Sequence, residues 1–489
     1  MKIQLIHAPF LQKERSGAFQ PTIWPPIGIM YLASYLRKNF KGKLRIKLTD
    51  GGTLGEDKTL EEIKNFNPDI LGISSFTPNS TGGYYLTNEV KKILPETFII
   101  FGGVHASALP EDVYKSANVD LVAIGEGEQT FLEVVKAVSQ KKKNFEKIPG
   151  LAILKRGKVI RTPPRQFIKN LDDLPFPTYD LIDNLDKYHG WFFRKNYPDT
   201  AFMSTRGCPY HCFFCTDAVW KSSKPYLRVR SPKNVADELE WLTKKYGYKE
   251  YFDLADEFNC IESWAIDVCR EIKKRKLGIT WKCQLRADKV SDELAKNLAE
   301  AGCWYVHLGV ESGNQRTLDG INKKITIEQV EKACKNFKKY GIKVYLLMMI
   351  FNIWEEKGEL AFEGVKESLN NLKFARHLID KGLADFLGWS PTTPYPGGQL
   401  YPFAIKHNLI PQHYIGSWEK WNNIWGIPLK LPGISRYDYQ KVKVLGTIFQ
   451  FWYFFKKMRN GINHRTVAEL TERAIGNMSA FWKLAKARF

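Results

Sequence analysis

Cysteine is scarce in this chain: eight residues in 489, and none before Cys208. Five of them, Cys260, Cys269, Cys283, Cys303 and Cys334, are scattered without the spacing of a secreted disulfide framework, which points to a reducing compartment. Nowhere does an apolar run reach the roughly 20 residues that a membrane-spanning helix needs. The opening stretch, MKIQLIHAPF, lacks the charged-then-apolar order of a secretory leader and reads as a first β-strand. A cytoplasmic location is therefore expected. Acidic residues are the other shortage: 52 Asp and Glu against 73 Lys and Arg leave a net charge of +21. One reading is a lysine-rich solvated surface. The other is an anionic partner, whether RNA, a membrane surface or an acidic substrate. The lysines are dispersed apart from short runs at 141–143 and 273–276, and no RNA-binding signature accompanies them, so nucleic acid is not expected as a partner.

The apolar fraction, 44%, and the charged fraction, 26%, are those of a globular protein long enough for two or three domains. Residues 1–140 alternate short apolar strands (KIQLIHAP, RIKLTD, ILGISSF, FIIFGG and LVAIGEG) with amphipathic helical stretches, the pattern of a parallel sheet covered on both faces. Glycine-containing turns follow several strand ends, where open α/β sheets bind nucleotides and cofactors. Residues 141–199, proline-rich in VIRTPPRQFIKNLDDLPFPTYDLI, read as a connector. A second alternating block over 200–400 supplies six strands, from AFMSTR to DFLGWSP, with helix caps predicted at Ser231, Ser291 and Thr326. Six repeats rather than eight predict a partial barrel whose working groups come from C-terminal strand ends. The expected fold is thus α/β: a Rossmann-like domain, a partial (β/α)6 barrel, and a helical, aromatic-rich region over 401–489. In that last region LGTIFQFWYFFKKMRNG reads either as a helix packed over the barrel mouth or as an interfacial helix, giving peripheral contact with a membrane or a lipid-like substrate.

The chemistry concentrates in RGCPYHCFFC, which places Cys208, Cys212 and Cys215 after the first strand of the barrel block. A structural zinc site needs four ligands, often as two separated Cys-x-x-Cys pairs, and no second pair exists here. His211 is too close in sequence to join all three cysteines as a fourth ligand. A redox pair, CFFC, would leave Cys208 unexplained. Three thiolates holding a four-iron cluster would leave one iron open to bind a substrate or cofactor, and the strand-end position suits that reading.

The spacing Cys-x3-Cys-x2-Cys resembles the radical S-adenosylmethionine superfamily. The resemblance implies a [4Fe-4S] cluster on Cys208, Cys212 and Cys215, with the open iron chelating S-adenosylmethionine, whose reductive cleavage gives a 5′-deoxyadenosyl radical. It also implies that Asp256 and Glu257, in DLADEFN, meet the methionine amino group, that Arg286 in CQLRAD lies near its carboxylate, and that Glu311 in GVESG bonds the ribose. Each has a plainer alternative, since a strand-end carboxylate also caps the next helix. The family's glycine- and proline-containing turn after the fifth strand is replaced here by Asn352, Ile353 and Trp354, so no adenine contact is assigned.

The first domain resembles the cobalamin-binding domain of one branch of that superfamily. The matching strings are WPPIGIMYLASYL (24–36), ISSFTPNS (73–80), GGVHAS (102–107) and IGEGEQTF (124–131), with TPYPGGQLY (393–401) agreeing further on. The implied cobalamin-binding residues are Ser74, Ser75, Phe76, Thr77, Gly102, Gly103, His105, Ser107, Gly125, Glu126, Gly127 and Glu128. Many cobalamin proteins carry Asp-x-His-x-x-Gly, whose histidine binds cobalt from below. Here Asp50–Gly55 reads DGGTLG, with Gly52 in the histidine's place, so the lower face is expected to meet water or Phe76 or Thr77.

These resemblances imply a cobalamin-dependent radical enzyme that methylates an unactivated carbon. Flavodoxin or ferredoxin is the expected reductant, and a lipid, porphyrin or peptide the expected substrate class. A cyclase or rearrangement enzyme like the anaerobic porphyrin ester cyclases is the alternative. An RNA-modifying methylthiotransferase would carry cluster cysteines in residues 1–140, where there are none. Trp418, Trp421, Trp425 and Trp452 either cradle a flat or greasy substrate or serve packing.

Overall fold

Five short apolar strands build the first sheet: β1 (Lys2–His7), β2 (Arg45–Asp50), β3 (Ile70–Ser74), β4 (Phe98–Gly102) and β5 (Leu121–Ala123). In this computed structural model they are parallel, in spatial order β2-β1-β3-β4-β5. The residues described are 1–11, 24–142, 144–183, 194–421 and 429–457, with 185, 188 and 482 besides. Lys143, Trp425 and the end of the aromatic stretch beyond Lys457 lie outside them. Strand centres such as Ile3, Leu71, Ile100 and Val122 are buried because helices cover both faces of the sheet. The chain runs from β1 outward to β2 and then crosses back to β3, which opens a crevice at the C-terminal strand ends.

Residues 141–199 are more than the expected connector. β6 (Leu151–Lys155) and β7 (Lys158–Arg161) form a hairpin that extends the first sheet antiparallel to β5. Its two-residue turn, Arg156–Gly157, has φ of 49° and 75°, the positive values that match strand twist. The chain beyond the hairpin joins the two units. There the hydroxyl of buried Tyr179 donates to the Ala201 carbonyl at 2.8 Å, and Thr178 Oγ1 donates to the Met30 carbonyl at 3.2 Å.

The second unit starts at β8 (Asp199–Phe202), followed by the antiparallel pair β9 (Thr205–Gly207) and β10 (Leu227–Val229). β11 (Glu250–Asp253), β12 (Thr280–Leu285), β13 (Cys303–Glu311) and β14 (Lys343–Ile350) follow, then the hairpin β15 (Ile353–Glu356) and β16 (Glu359–Phe362), and β17 (Phe386–Pro391). Strands β8, β11, β12, β13, β14 and β17 are neighbours in that order and all parallel. No pairing among the described residues joins β17 back to β8, so the barrel is partial. All three predicted caps form: Ser231 Oγ accepts from the Asn234 amide at 3.1 Å, Ser291 Oγ from Leu294 at 3.0 Å, and Thr326 Oγ1 from Gln329 at 3.2 Å.

The helix Arg436–Lys457 lies against β17 and the helix Val365–Asp380, where Gly446 lets it close on Trp389. Its outer face leaves Ile448 and Trp452 about half exposed. No helix among the described residues is long and apolar enough to cross a membrane.

Candidate functional site

The cysteine loop is held from three sides. The Phe213 amide donates to the Ile321 carbonyl at 2.8 Å, Asn322 Nδ2 to the His211 carbonyl at 2.8 Å, and Lys221 Nζ to the Tyr210 carbonyl at 2.6 Å. Gly397, in TPYPGGQLY, has φ of 102°, and a Cβ there would come within 2.6 Å of Ala218, so the turn after β17 packs directly on this loop.

Cys208, Cys212 and Cys215 all line one cavity of about 330 Å³ at the C-terminal ends of the barrel strands. No three His, Cys, Asp or Glu side chains among the described residues converge closely enough for a single metal ion. Three thiols spread around one cavity suit a polynuclear cluster better than zinc, whose donors must meet at one point. The Cys208 thiol is acidified, first by a hydrogen bond from Cys260, one of the scattered cysteines.

Asp256, Glu257, Arg286 and Glu311 line the same cavity. Glu257 is buried, its Oε1 has no partner, and burial pushes its carboxyl up to about 8. An unpartnered buried carboxylate is costly, and a ligand ammonium would relieve it. Asp256 instead accepts from the Gly207 amide at 2.9 Å, which ties β11 to the start of the cysteine loop. Arg286 is fully engaged. Its guanidinium lies 3.6 Å from the Tyr210 ring centroid, Nη2 donates to the Lys323 carbonyl at 2.6 Å, and Nε donates to Asp288 at 2.9 Å. Nη1 stands 3.9 Å from Cys212 Sγ, so this cation braces the cysteine loop as well as facing the cavity. Glu311 sits at an irregularity of β13 with φ of 70°, and accepts from Lys323 Nζ at 2.9 Å.

Lys323 escaped the sequence reading because nothing in INKKI marks which lysine turns inward. Its ammonium is buried beside the thiols; burial works against the charge, but Glu311 and Cys212 outweigh it and the pKa rises. His307 also lines the cavity, and burial drives its pKa down to about 3, so it is neutral. Trp354 is not among the lining residues of this cavity; it is buried against Gly320, on the β15–β16 hairpin.

A second cavity, of about 170 Å³, lies at the ends of the first sheet between the helices Ile27–Asn39 and Gly127–Ser139. Ser74, Gly102, Gly103, Gly125, Glu126, Gly127 and Glu128 line it together with Gly72. Gly103 has φ of 97°, and a Cβ there would stand 2.5 Å from the Ser75 carbonyl oxygen; one on Gly72 would meet Leu5 at 2.6 Å. Side chains are therefore excluded from the groove floor. Ser75 Oγ is buried with no partner. A glycine-lined groove beside an orphaned hydroxyl fits a bulky, polar-edged cofactor tail.

Other residues expected to bind cobalamin are committed elsewhere. Ser107 Oγ donates to the Gly103 carbonyl at 2.8 Å and accepts from the Gly125 amide at 3.0 Å, bracing the two glycine turns. His105 is fully buried; its ring meets Thr77 Oγ1 at 3.2 Å and the Tyr84 hydroxyl at 2.7 Å, which leaves it a structural part. Thr77 is spent on that contact; Phe76 is about half exposed, packs its ring edge-on against His7 at 5.7 Å, and lines neither cavity. Asp50 accepts from His7 Nδ1 and the Tyr188 hydroxyl, both at 2.9 Å, and from the Gly52 amide at 3.0 Å. The turn it opens follows edge strand β2, and Gly52 is not among the lining residues of either cavity. No histidine stands among the lining residues of the glycine groove.

Glu126 and Glu128 point across to the barrel. Arg206 Nη1 donates to Glu126 at 2.5 Å and Nη2 to Glu128 at 2.7 Å, while Arg228 Nη1 donates to both Glu126 oxygens at 3.0 Å. Arg206 and Arg228 are register partners in the β9–β10 pair, and the two carboxylates offset their repulsion. Val219 and Trp220 belong to both cavity walls. Trp418 and Trp421 are buried and line neither; Trp418 Nε1 donates to Asp112 at 2.7 Å, pinning the C-terminal region to the first unit.

Two α/β units, one ending in a glycine groove and the other in a three-thiol cavity, define a two-cofactor radical enzyme. The chain matches the B12 binding domain over residues 20–135 and the Radical SAM superfamily over 202–361. It is 35% identical to an uncharacterized methyltransferase, PH0819, of Pyrococcus horikoshii over 82% of this chain and 83% of that one. It is 32% identical to the anaerobic magnesium-protoporphyrin IX monomethyl ester cyclase of Rubrivivax gelatinosus, over 82% of this chain and 69% of that one. The chain belongs to the cobalamin-binding radical S-adenosylmethionine family. Its fold resembles that of OxsB, a cobalamin-dependent S-adenosylmethionine radical enzyme, with a TM-score of 0.72, 18% identity, and coverage of 98% of this chain and 72% of that one. The methyltransferase TsrM of Kitasatospora setae gives 0.66 at 18% identity, covering 83% and 76%.

Proposed function

We propose that the protein is a cytoplasmic methyltransferase that transfers a methyl group to an unactivated carbon. The observation that carries this reading is the shared wall: the three-thiol cavity and the glycine groove abut at Val219 and Trp220, and Val104 of the first unit reaches the thiol cavity. Cys208, Cys212 and Cys215 would hold the [4Fe-4S] cluster, and the glycine groove, with Ser74 in its wall and Ser75 beside Gly103, would hold cobalamin. When bound together with S-adenosylmethionine and a reductant, these groups would supply a 5′-deoxyadenosyl radical and a methyl group on the two sides of that shared wall. Around them, Glu257 offers an acceptor for an ammonium, Arg286 and Lys323 supply fixed positive charge beside the thiols, and the neutral His307 closes the cavity floor without adding charge. Flavodoxin or ferredoxin is the proposed electron source, and a lipid, porphyrin or peptide the acceptor class. The similarity to PH0819 supports methyl transfer; that to the ester cyclase keeps cyclisation as the competing outcome. The test is anaerobic reconstitution followed by mass comparison of extracts from gene-deleted and normal cells, each incubated with the enzyme. A product heavier by one CH2 is expected; a cyclised or oxidised product without it would establish the alternative.

A further inference from the structure

Val219 and Trp220 are the residues common to both cavity walls. They follow the cysteine loop directly, so the two cavities share this short segment as a common wall. The indole of Trp220 is held in place. The guanidinium carbons of Arg206 and Arg228 each lie 5.5 Å from its ring centroid, and Phe167 packs edge-on at 6.1 Å. Both arginines are in turn held by Glu126 and Glu128, which belong to the first unit. A side chain on the barrel's loop is therefore positioned by charges from the cobalamin-binding unit. Arg228 also keeps two buried donors, Nε and Nη2, without partners. Those donors belong to a guanidinium stacked over the Phe167 and Trp220 rings, at 4.4 and 5.5 Å from their centroids, so the rings are what this face of Arg228 meets.

Resting on the functional reading above, we propose that Trp220 is a positioning residue that couples the two cavities. A ligand in the glycine groove and a ligand in the thiol cavity both meet this clamped indole, so a ligand that favours one setting of the ring favours the same setting for the other, and each tightens the other by the same factor. The cation–ring contacts give the wall a preferred setting, since an arginine over an indole is a directional attraction.

S-adenosylhomocysteine, which the cluster cannot cleave to a radical, is the probe. It is titrated anaerobically into cluster-loaded protein with and without bound hydroxocobalamin. Cobalamin is expected to tighten the probe by about fivefold or more, the range of ordinary coupling between sites. Trp220→Ala is expected to erase that coupling while iron and sulfide content stay unchanged. Trp220→Phe, which keeps an aromatic face, is expected to retain most of it. Trp220→Leu, which fills space without a face for the guanidiniums, serves as the second variant should Trp220→Ala not fold. Equal probe affinity with and without cobalamin in the native chain overturns the proposal, as does coupling that survives either Trp220→Ala or Trp220→Leu. If cobalamin fails to bind at all, the functional reading falls and this inference with it; binding of both ligands without coupling sinks the inference alone.

Discussion

The two cavities are built from opposite materials. The groove of the first unit is made by removing side chains: Gly72, Gly102, Gly103 and Gly125 leave backbone as its floor, and Ser75 is the orphaned polar group beside it. The thiol cavity is made by adding side chains, since cysteines, carboxylates, Arg286 and Lys323 converge from separate strand ends. A backbone-built site binds by shape and tolerates little added volume. A side-chain-built site binds by charge and donor chemistry, and loses function when one group is deleted. Substitution can test how far each site's own chemistry depends on the other.

Cys212→Ala should have the largest effect. It is expected to bring 5′-deoxyadenosine formation to background while cobalamin retention on a gel-filtration column stays intact; unimpaired cleavage of S-adenosylmethionine would show that the thiols do not hold the cluster. Arg206→Ala attacks the junction instead. It strips Glu128 and half of Glu126 of their buried partner, which costs about 3–5 kcal/mol when one member of such a pair is removed. A fall of that size in urea unfolding is expected, and Arg206→Met should recover part of it. Gly103→Ala then probes the groove alone. The positive φ and the contact with the Ser75 carbonyl predict a cost of about 1–3 kcal/mol and weaker cobalamin binding, with cluster iron unchanged.

The smallest effect concerns acid. Glu257 holds its proton up to about pH 8 in the folded, cofactor-free chain, whereas the unfolded chain releases it near the ordinary carboxyl value of about 4. The folded state then binds the extra proton between those values, so stability of the cofactor-free protein falls as pH rises from about 4 to 8. Glu257→Gln should flatten that slope in denaturant titrations. An unchanged slope would show that the carboxylate is already paired.

Sequence patterning revealed the parallel strands because they are largely buried on both faces, so each is a short apolar run between turns. The three caps were equally visible, since Ser or Thr at a helix start acts through a local hydrogen bond. What escaped was non-local. LAILKRGKVIR carries a hairpin signal at Arg156–Gly157, but its charged, exposed residues read as connector. Glu126 and Glu128 sit in a string that resembles a cofactor turn, and only the fold shows that Arg206 and Arg228 face them. DGGTLG has the spacing of a cobalt-ligand motif, yet spacing says nothing about which strand the turn follows. The tryptophans of the C-terminal region likewise gave no hint whether they faced a substrate or Asp112.

That last contact has a consequence in time. Trp418 and Asp112 are 306 residues apart in the chain, and Trp418 also packs edge-on against His105 at 5.1 Å, behind the loop that presents Phe76. At roughly 5–20 residues per second, a ribosome needs about 15–60 s to make the stretch between them. Throughout that interval the first unit exists with its loop unbraced. The brace on His105 and Asp112 is therefore made only after the barrel residues between them have been synthesised, so this contact locks the first unit to the C-terminal region after both have emerged.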